Sequence, residues 1–352
     1  MSDAAVVVLP WLVAPLRHVL HTSRAHALLL HGPSGVGQFE LALLLAQAWL
    51  CENDSMPIEA RPCGTCASCR LVAARTHADL LVVIPAALRE SLGWSAESDE
   101  GAEEKSSKKK PSKEIRVEEI RAVVAFASTT SARGRGKAVV VHPAERMNAI
   151  AANAFLKTLE EPAGNARFLL SSTSPASLLP TIRSRCQAIA LPIPPRNDAL
   201  AWLLEQGIAA PETLLDAAAG QPQEALDMAE LGIDAALWSS LPAKVAAGDA
   251  SALRGWALPR VVDTLQKLCH DAACVAIGAQ PRYFPAASIG AGAELVALSH
   301  WSRELVRFAR HDEHPWIAEL SVESLVEQGR RALQKPRIAG RERRTESIHS
   351  HR

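Results

Sequence analysis

The sequence predicts an α/β domain built on a mostly parallel, helix-covered sheet, then a short helical unit and a longer all-helical domain. Three observations carry the prediction. The apolar residues 27–30 lead into the glycine-rich turn 31–39 and then into the apolar segment 40–46. Strand, glycine-rich turn and helix in that order are the context of a phosphate-binding P-loop. Apolar runs of strand length then alternate with helical periodicity across the first half of the chain, as in parallel sheets with helical crossovers. Past Pro192, Pro194 and Pro195 the periodicity is helical alone, which marks a domain boundary.

Composition bounds the reading. A chain of 352 residues, 48% hydrophobic and 22% charged, has ample core for two or three domains. The 38 basic and 38 acidic residues cancel, so no global field marks a nucleic-acid binder, and any such contact needs a local patch. Residues 1–16 are apolar but contain Asp3, Pro10 and Pro15 and no basic residue, which argues against a signal peptide. Residues 41–50 include Gln47 and fall short of the ~18–20 residues of a membrane span. The expectation is a soluble, cytoplasmic chain with no membrane partner, in which the seven cysteines stay reduced.

Residues 16–26 read as a helix leading into the strand 27–30. In the loop, Gly32 and Gly37 fit G-x-x-x-x-G, with Gly35 between them. A working loop continues with Lys for the phosphates and Ser or Thr for Mg²⁺. Here Gln38 carries no charge and Phe39 has no oxygen for a hard cation. Next comes C-x11-C-x2-C-x2-C, formed by Cys51, Cys63, Cys66 and Cys69. Closely spaced thiolates can close a tetrahedral shell, which predicts structural rather than catalytic zinc. Four unrelated thiols are the alternative. Residues 77–85 read as a strand bounded by Pro85. Residues 86–113 change character, with an acidic cluster (Glu97 to Glu104) followed by a basic one (Lys105 to Lys113). That composition predicts a disordered surface insertion. Its basic end could touch phosphate, but a solvated loop tip is the reading preferred.

Residues 115–131 are amphipathic at near-helical spacing, 134–136 form a turn and 137–142 a buried strand. Residues 148–161 form a helix stopped by Pro162, and 167–172 another strand. An ATPase needs carboxylates after its second strand, to hold Mg²⁺ and orient water. The slots after Val139–Val141 hold His142 and Pro143, and Glu145 begins the next turn. Gln38, Phe39, His142 and Pro143 therefore fail together, which predicts no ATP hydrolysis and no ATP bound by this chain. Residues 196–235 and 238–335 read as helical units, and 336–352 as a disordered, basic tail.

The stretch Asn153-Ala154-Phe155-Leu156-Lys157-Thr158-Leu159-Glu160-Glu161-Pro162, followed by residues 179–186 (Leu-Pro-Thr-Ile-Arg-Ser-Arg-Cys), closely resembles the bacterial clamp-loader ATPase family, an AAA+ family that loads the sliding clamp onto primed DNA. The likeness covers 9–191 well, including Leu9-Pro10-Trp11-Leu12, and the Cys₄ insertion after the P-loop helix fits it. It is weaker over 192–335, where the family has a helical lid and a helical collar. The resemblance implies an AAA+-like domain at 1–192, a lid at 193–237, a collar for oligomerisation at 238–335 and a tail at 336–352. It does not explain 86–113. It implies a non-hydrolysing member, partnered in a heteropentamer by the gamma/tau motor subunit and by delta, and acting through the assembly on clamp and primed DNA.

Ser184-Arg185-Cys186 matches the family's SRC motif. The resemblance gives Arg185 the role of an arginine finger reaching a neighbouring subunit's ATP site, where a planar, permanently charged guanidinium steadies charge on the phosphoryl group. Arg183 is the lesser candidate. Ser172 and Thr173 occupy sensor positions, and Gln223 stands where active relatives put a second sensor arginine. Cys269 and Cys274 read as core residues of a helix. Two other functions are open to the sequence: an active gamma/tau-like ATPase, which Gln38 opposes, and a zinc-dependent nucleic-acid-binding module, motivated by the Cys₄ pattern and the basic residues 105–113.

Overall fold

The structure, a computed structural model, describes residues 8–94, 111–310 and 318–334. Most of the predicted insertion 86–113 and all of the predicted tail 336–352 lie outside those residues. The chain divides into two compact units. One is Met1–Gly207 with Gly220–Leu226, and the other is Ile208–Ala219 with Asp227–Arg352.

The first unit begins with helix α1 (Val13–Thr22), which starts and ends earlier than the sequence pattern suggests because a 3₁₀ turn at Pro10–Leu12 leads into it. Then follow β1 (Ala27–His31), α2 (Gln38–Leu50), α3 (Ala67–Ala73) and β2 (Leu80–Val83). Residues 86–94 hold a single helical turn, α4 (Ala86–Arg89). After residues 95–110 come α5 (Val117–Ser128), β3 (Lys137–Val141), α6 (Ala149–Glu160), β4 (Ala166–Ser172), α7 (Pro180–Arg183), β5 (Gln187–Ala190) and α8 (Arg196–Glu205). The five strands form one parallel sheet in the order β2-β3-β4-β1-β5.

Side chains alternate between sheet faces. Leu29, Val139, Val141, Phe168 and Leu170 join α5 and α6 in one buried core, which includes Phe155 and Ile120. Leu28, Leu30, Val140 and Leu169 are equally buried and alternate with that set; they point to the other face, where α2 packs. Helix α2 is apolar nearly all round, with ten of its thirteen residues buried. A helix of that pattern belongs inside a domain. Strand β5 escapes sequence reading: Gln187, Ala188 and Ala190 are exposed, so no apolar run announces it. It forms because Leu28 to His31 offer an open edge for pairing.

The second unit contains α9 (Pro211–Ala217), α11 (Ala235–Ala247), α12 (Leu258–Ala276), α13 (Leu295–Ala309) and α14 (Ala318–Leu333), and α10 (Pro222–Glu230) crosses the division between the units. Helices α11 to α14 pack on one another. Trp238 stacks on Phe284 at 4.5 Å and its indole N–H donates to the Tyr283 carbonyl. Buried Asp271 on α12 accepts the backbone N–H groups of Arg282, Tyr283 and Phe284, which pins the loop after that helix. Among the described residues no helix is long and apolar enough to cross a membrane.

Candidate functional site

The glycine-rich loop joins β1 to α2 at the C-terminal edge of the sheet. Its glycines have packing reasons of their own. A Cβ on Gly32 would collide with the Leu191 backbone carbonyl. Gly37 sits at φ 96, and a Cβ there would come within 2.8 Å of Leu9 and 2.9 Å of Leu12. Left-handed backbone and close approach together select glycine. The Trp11 indole N–H also donates to the Val36 carbonyl at 2.9 Å.

The space over the loop is taken by the protein itself. The Gln38 amide donates to the Gly32 carbonyl at 2.8 Å and to the Pro33 carbonyl at 2.5 Å, so it turns back on the loop. The Gln223 backbone N–H reaches the Gly35 carbonyl, and the Gln223 side chain donates to Glu40 at 2.9 Å. Phe39 lies on the His142 ring at 4.6 Å and meets Trp94 edge-on at 6.4 Å. The Arg75 guanidinium covers Trp94 at 5.0 Å. Trp94 had no signal in the sequence, because it belongs to the stretch whose composition reads as disordered.

His142 bonds Ser171 Oγ through Nδ1 at 2.7 Å, and burial pushes its pKa down to about 4, with the Glu145 carboxylate working against that. The ring is therefore neutral. Pro143 supplies no acceptor side chain. Glu145, in the 3₁₀ turn Ala144–Arg146, reaches back to Thr173, accepting its N–H at 2.9 Å and its hydroxyl at 2.8 Å. Burial would raise the Glu145 pKa, yet its own backbone N–H and the Thr173 donors hold it below the usual carboxylate range. Thr173 is thereby engaged, and Ser172 is buried. Positions 38 and 39 of the loop thus hold Gln and Phe where phosphoryl transfer uses a lysine and a metal-binding hydroxyl, and the carboxylate nearest His142 is that of Glu145, whose Oε1 is taken by Thr173.

Cys51, Cys63, Cys66 and Cys69 do come together, with ligand atoms all within 4.8 Å. Cys51 follows α2 directly, and Cys66 caps α3, accepting the Cys69 N–H at 3.3 Å. Cys63 accepts the Cys66 N–H in the same way. The Cys63 and Cys69 sulfurs stand 3.9 Å apart. That is far beyond a disulfide bond, and close to the ~3.8 Å edge of a tetrahedron with metal–sulfur bonds of about 2.3 Å. Burial works to raise the Cys63 thiol, but the N–H groups of Cys66 and Thr65 bring it down to about 6. Burial pushes Cys51 and Cys69 up. Four such donors could hold a metal ion.

The cluster is fastened to the sheet by polar residues that sequence reading missed. Asp79 donates its N–H to His77 Nδ1, so Nε2 carries the proton toward buried Ser68 at 2.5 Å. Glu52 accepts the Ser68 N–H and pairs with Arg133 at 2.6 Å. Asp79 accepts from Ser131, Ala132 and Arg133. The links from Glu52 and Asp79 to Arg133 join residues more than fifty positions apart, and nothing in their spacing announces them. Of the helical cysteines, Cys269 is buried but Cys274 is only half-buried, beside His270 at 3.8 Å.

Arg185 stands between α7 and β5. Because β5 runs parallel to β1, the start of β5 lies at the opposite sheet edge from the loop after β1. Five residues of strand separate the two edges by roughly 15 Å. Arg185 thus cannot serve its own chain's loop. Its Nε and Nη2 donate to Glu160 Oε2 at 3.2 and 2.9 Å, and Nη1 donates to the Thr181 carbonyl at 3.1 Å. Ser184 and Arg183 are exposed, and burial pushes the Cys186 thiol up to about 12.

Residues 12–195, more than half of the chain, match the family described as "DNA polymerase III, delta subunit". A DNA polymerase III subunit delta' of Pseudomonas aeruginosa is 41% identical over 202 residues, 56% of this chain and 54% of that protein. The chain thus spans about half the length of this curated relative. A subunit tau of Salmonella typhimurium is 34% identical over 46% of this chain and 21% of its own. Among solved structures, a DNA polymerase III gamma subunit-related protein of Thermotoga maritima is 18% identical, with a TM-score of 0.48 over 92% of this chain and 99% of that one.

Proposed function

The chain belongs to the DNA polymerase III delta subunit family, and from that premise we propose that it is a delta prime-type stator of a bacterial clamp loader. It does not hydrolyse ATP. It binds the gamma/tau motor subunit and delta in a cytoplasmic heteropentamer, and it presents Arg185 to the motor's nucleotide. Loading of the sliding clamp on primed DNA is the process it assists. Residues 1–192 serve as the AAA+-like domain, 193–237 as the lid and 238–335 as the collar. Cys51, Cys63, Cys66 and Cys69 would hold structural Zn²⁺, which would tie the segment after α2 to α3.

The observation that carries the reading is the self-closed loop beside a finger at the far sheet edge. Gln38 bonds its own loop's carbonyls, while Arg185, at the opposite edge of the sheet, is held by Glu160 and the Thr181 carbonyl. A gamma/tau-like motor would need a lysine at position 38 and a carboxylate near 142.

The test is reconstitution with the motor subunit. Arg185→Ala is expected to leave assembly intact and remove most of the DNA-stimulated ATP hydrolysis that the chain adds. An unchanged increment would sink the finger role.

A further inference from the structure

We propose that Glu160 is the positioning residue for Arg185, an inference that rests on the trans-acting role just proposed. Glu160 is the last residue of α6, a helix capped by the Asn148 side chain and anchored by buried Phe155 and Leu159. Its carboxylate oxygen Oε2 takes Nε and Nη2 of Arg185, and the Thr181 carbonyl takes Nη1. A guanidinium has five N–H donors in a rigid fork. Three are used here, all accepted from this chain. The remaining two sit one on each terminal nitrogen. The side edge of the fork is therefore clamped, and each terminal nitrogen keeps one N–H for a doubly bonded anion.

Exposure fits that division. The Arg185 side chain is 30% exposed and the Glu160 side chain 59%. The pair is reachable by a neighbouring subunit, yet the arginine is held. Arginine carries large rotamer freedom, and fixing it before the phosphate arrives removes part of that cost from the reaction. A carboxylate on the side edge keeps the fork oriented without competing for the outward donors. Glu160 touches no substrate in this scheme. It acts through Arg185.

The experiment uses the full chain reconstituted with the motor subunit and primed DNA, reading kcat and KM of the added ATP hydrolysis. Glu160→Ala is expected to lower kcat about tenfold with KM little changed. Glu160→Gln, whose amide oxygen still accepts, is expected to recover most of that loss. The double variant Glu160→Ala with Arg185→Ala should be no slower than Arg185→Ala alone. The proposal falls if Glu160→Ala matches wild type or is faster, if Glu160→Gln is as slow as Glu160→Ala, or if the two losses multiply. Should Arg185→Ala itself leave hydrolysis unchanged, the finger reading fails and Glu160 falls with it. A slow Arg185→Ala beside a normal Glu160→Ala overturns the positioning role alone.

Discussion

His142 gives the most quantitative handle on the closed loop. Its ring lies beneath Phe39 and against Ser171, and burial holds its pKa at about 4 instead of the ordinary 6.5. The depressed value fixes the sign. Between 4 and 6.5 the unfolded chain binds more protons, so the contribution is present above pH 6.5 and is lost as pH falls toward 4. The whole shift corresponds to on the order of 3 kcal/mol, of which about 2 kcal/mol is lost by pH 5 and only a few tenths by pH 7. The assay is an NMR titration of the ring together with urea unfolding at pH 7 and pH 5. His142→Asn is the control, because it cannot titrate and keeps a polar atom near Nδ1. The variant is expected to be less stable at both pH values, yet to lose about 2 kcal/mol less than wild type between them. A ring that titrates near 6.5, or equal losses in both proteins, would refute the reasoning.

Three further outcomes are expected. Metal analysis of freshly purified, reduced protein should find one zinc per chain, and Cys63→Ser with Cys66→Ser should lose it; metal-free wild type would count against the site. Gln38→Lys with Phe39→Thr should give no steady ATP turnover, since His142 and Pro143 still serve neither metal nor water and Gln223 still occupies the Gly35 carbonyl; sustained turnover by the purified variant would overturn this. Asp271→Asn should destabilise the second unit by about 2–4 kcal/mol in chemical denaturation, because three backbone donors lose a charged acceptor; a loss below about 1 kcal/mol would mean the loop is held by Trp238 and Phe284 instead.

Local chemistry was legible where neighbours in sequence decide the outcome. The strand–turn–helix around Gly32 and Gly37 could be read because φ, chain reversal and apolar runs are short-range properties. The Cys63, Cys66 and Cys69 spacing could be read because backbone turns alone converge them. The four lost positions, Gln38, Phe39, His142 and Pro143, were legible as absences of charge or oxygen. What they became instead was not. That Gln38 bonds the carbonyls of its own loop, or that Trp94 meets Phe39, depends on where separate segments arrive in space.

The sequence by itself determined the α/β class, the helical second half, the cysteine constellation and the missing chemistry of the loop, because residue type and short spacing suffice for each. Only the tertiary structure decided that β5 completes the sheet, that Glu145 engages Thr173, that Glu52 and Asp79 fasten the cysteine cluster, and that Glu160 grips Arg185 at the edge away from the loop. Those outcomes depend on pairing between segments 25 to 164 positions apart. Hydrogen bonds and ion pairs between distant residues leave no period in a sequence, since their geometry exists only once the parallel sheet has set the strands side by side.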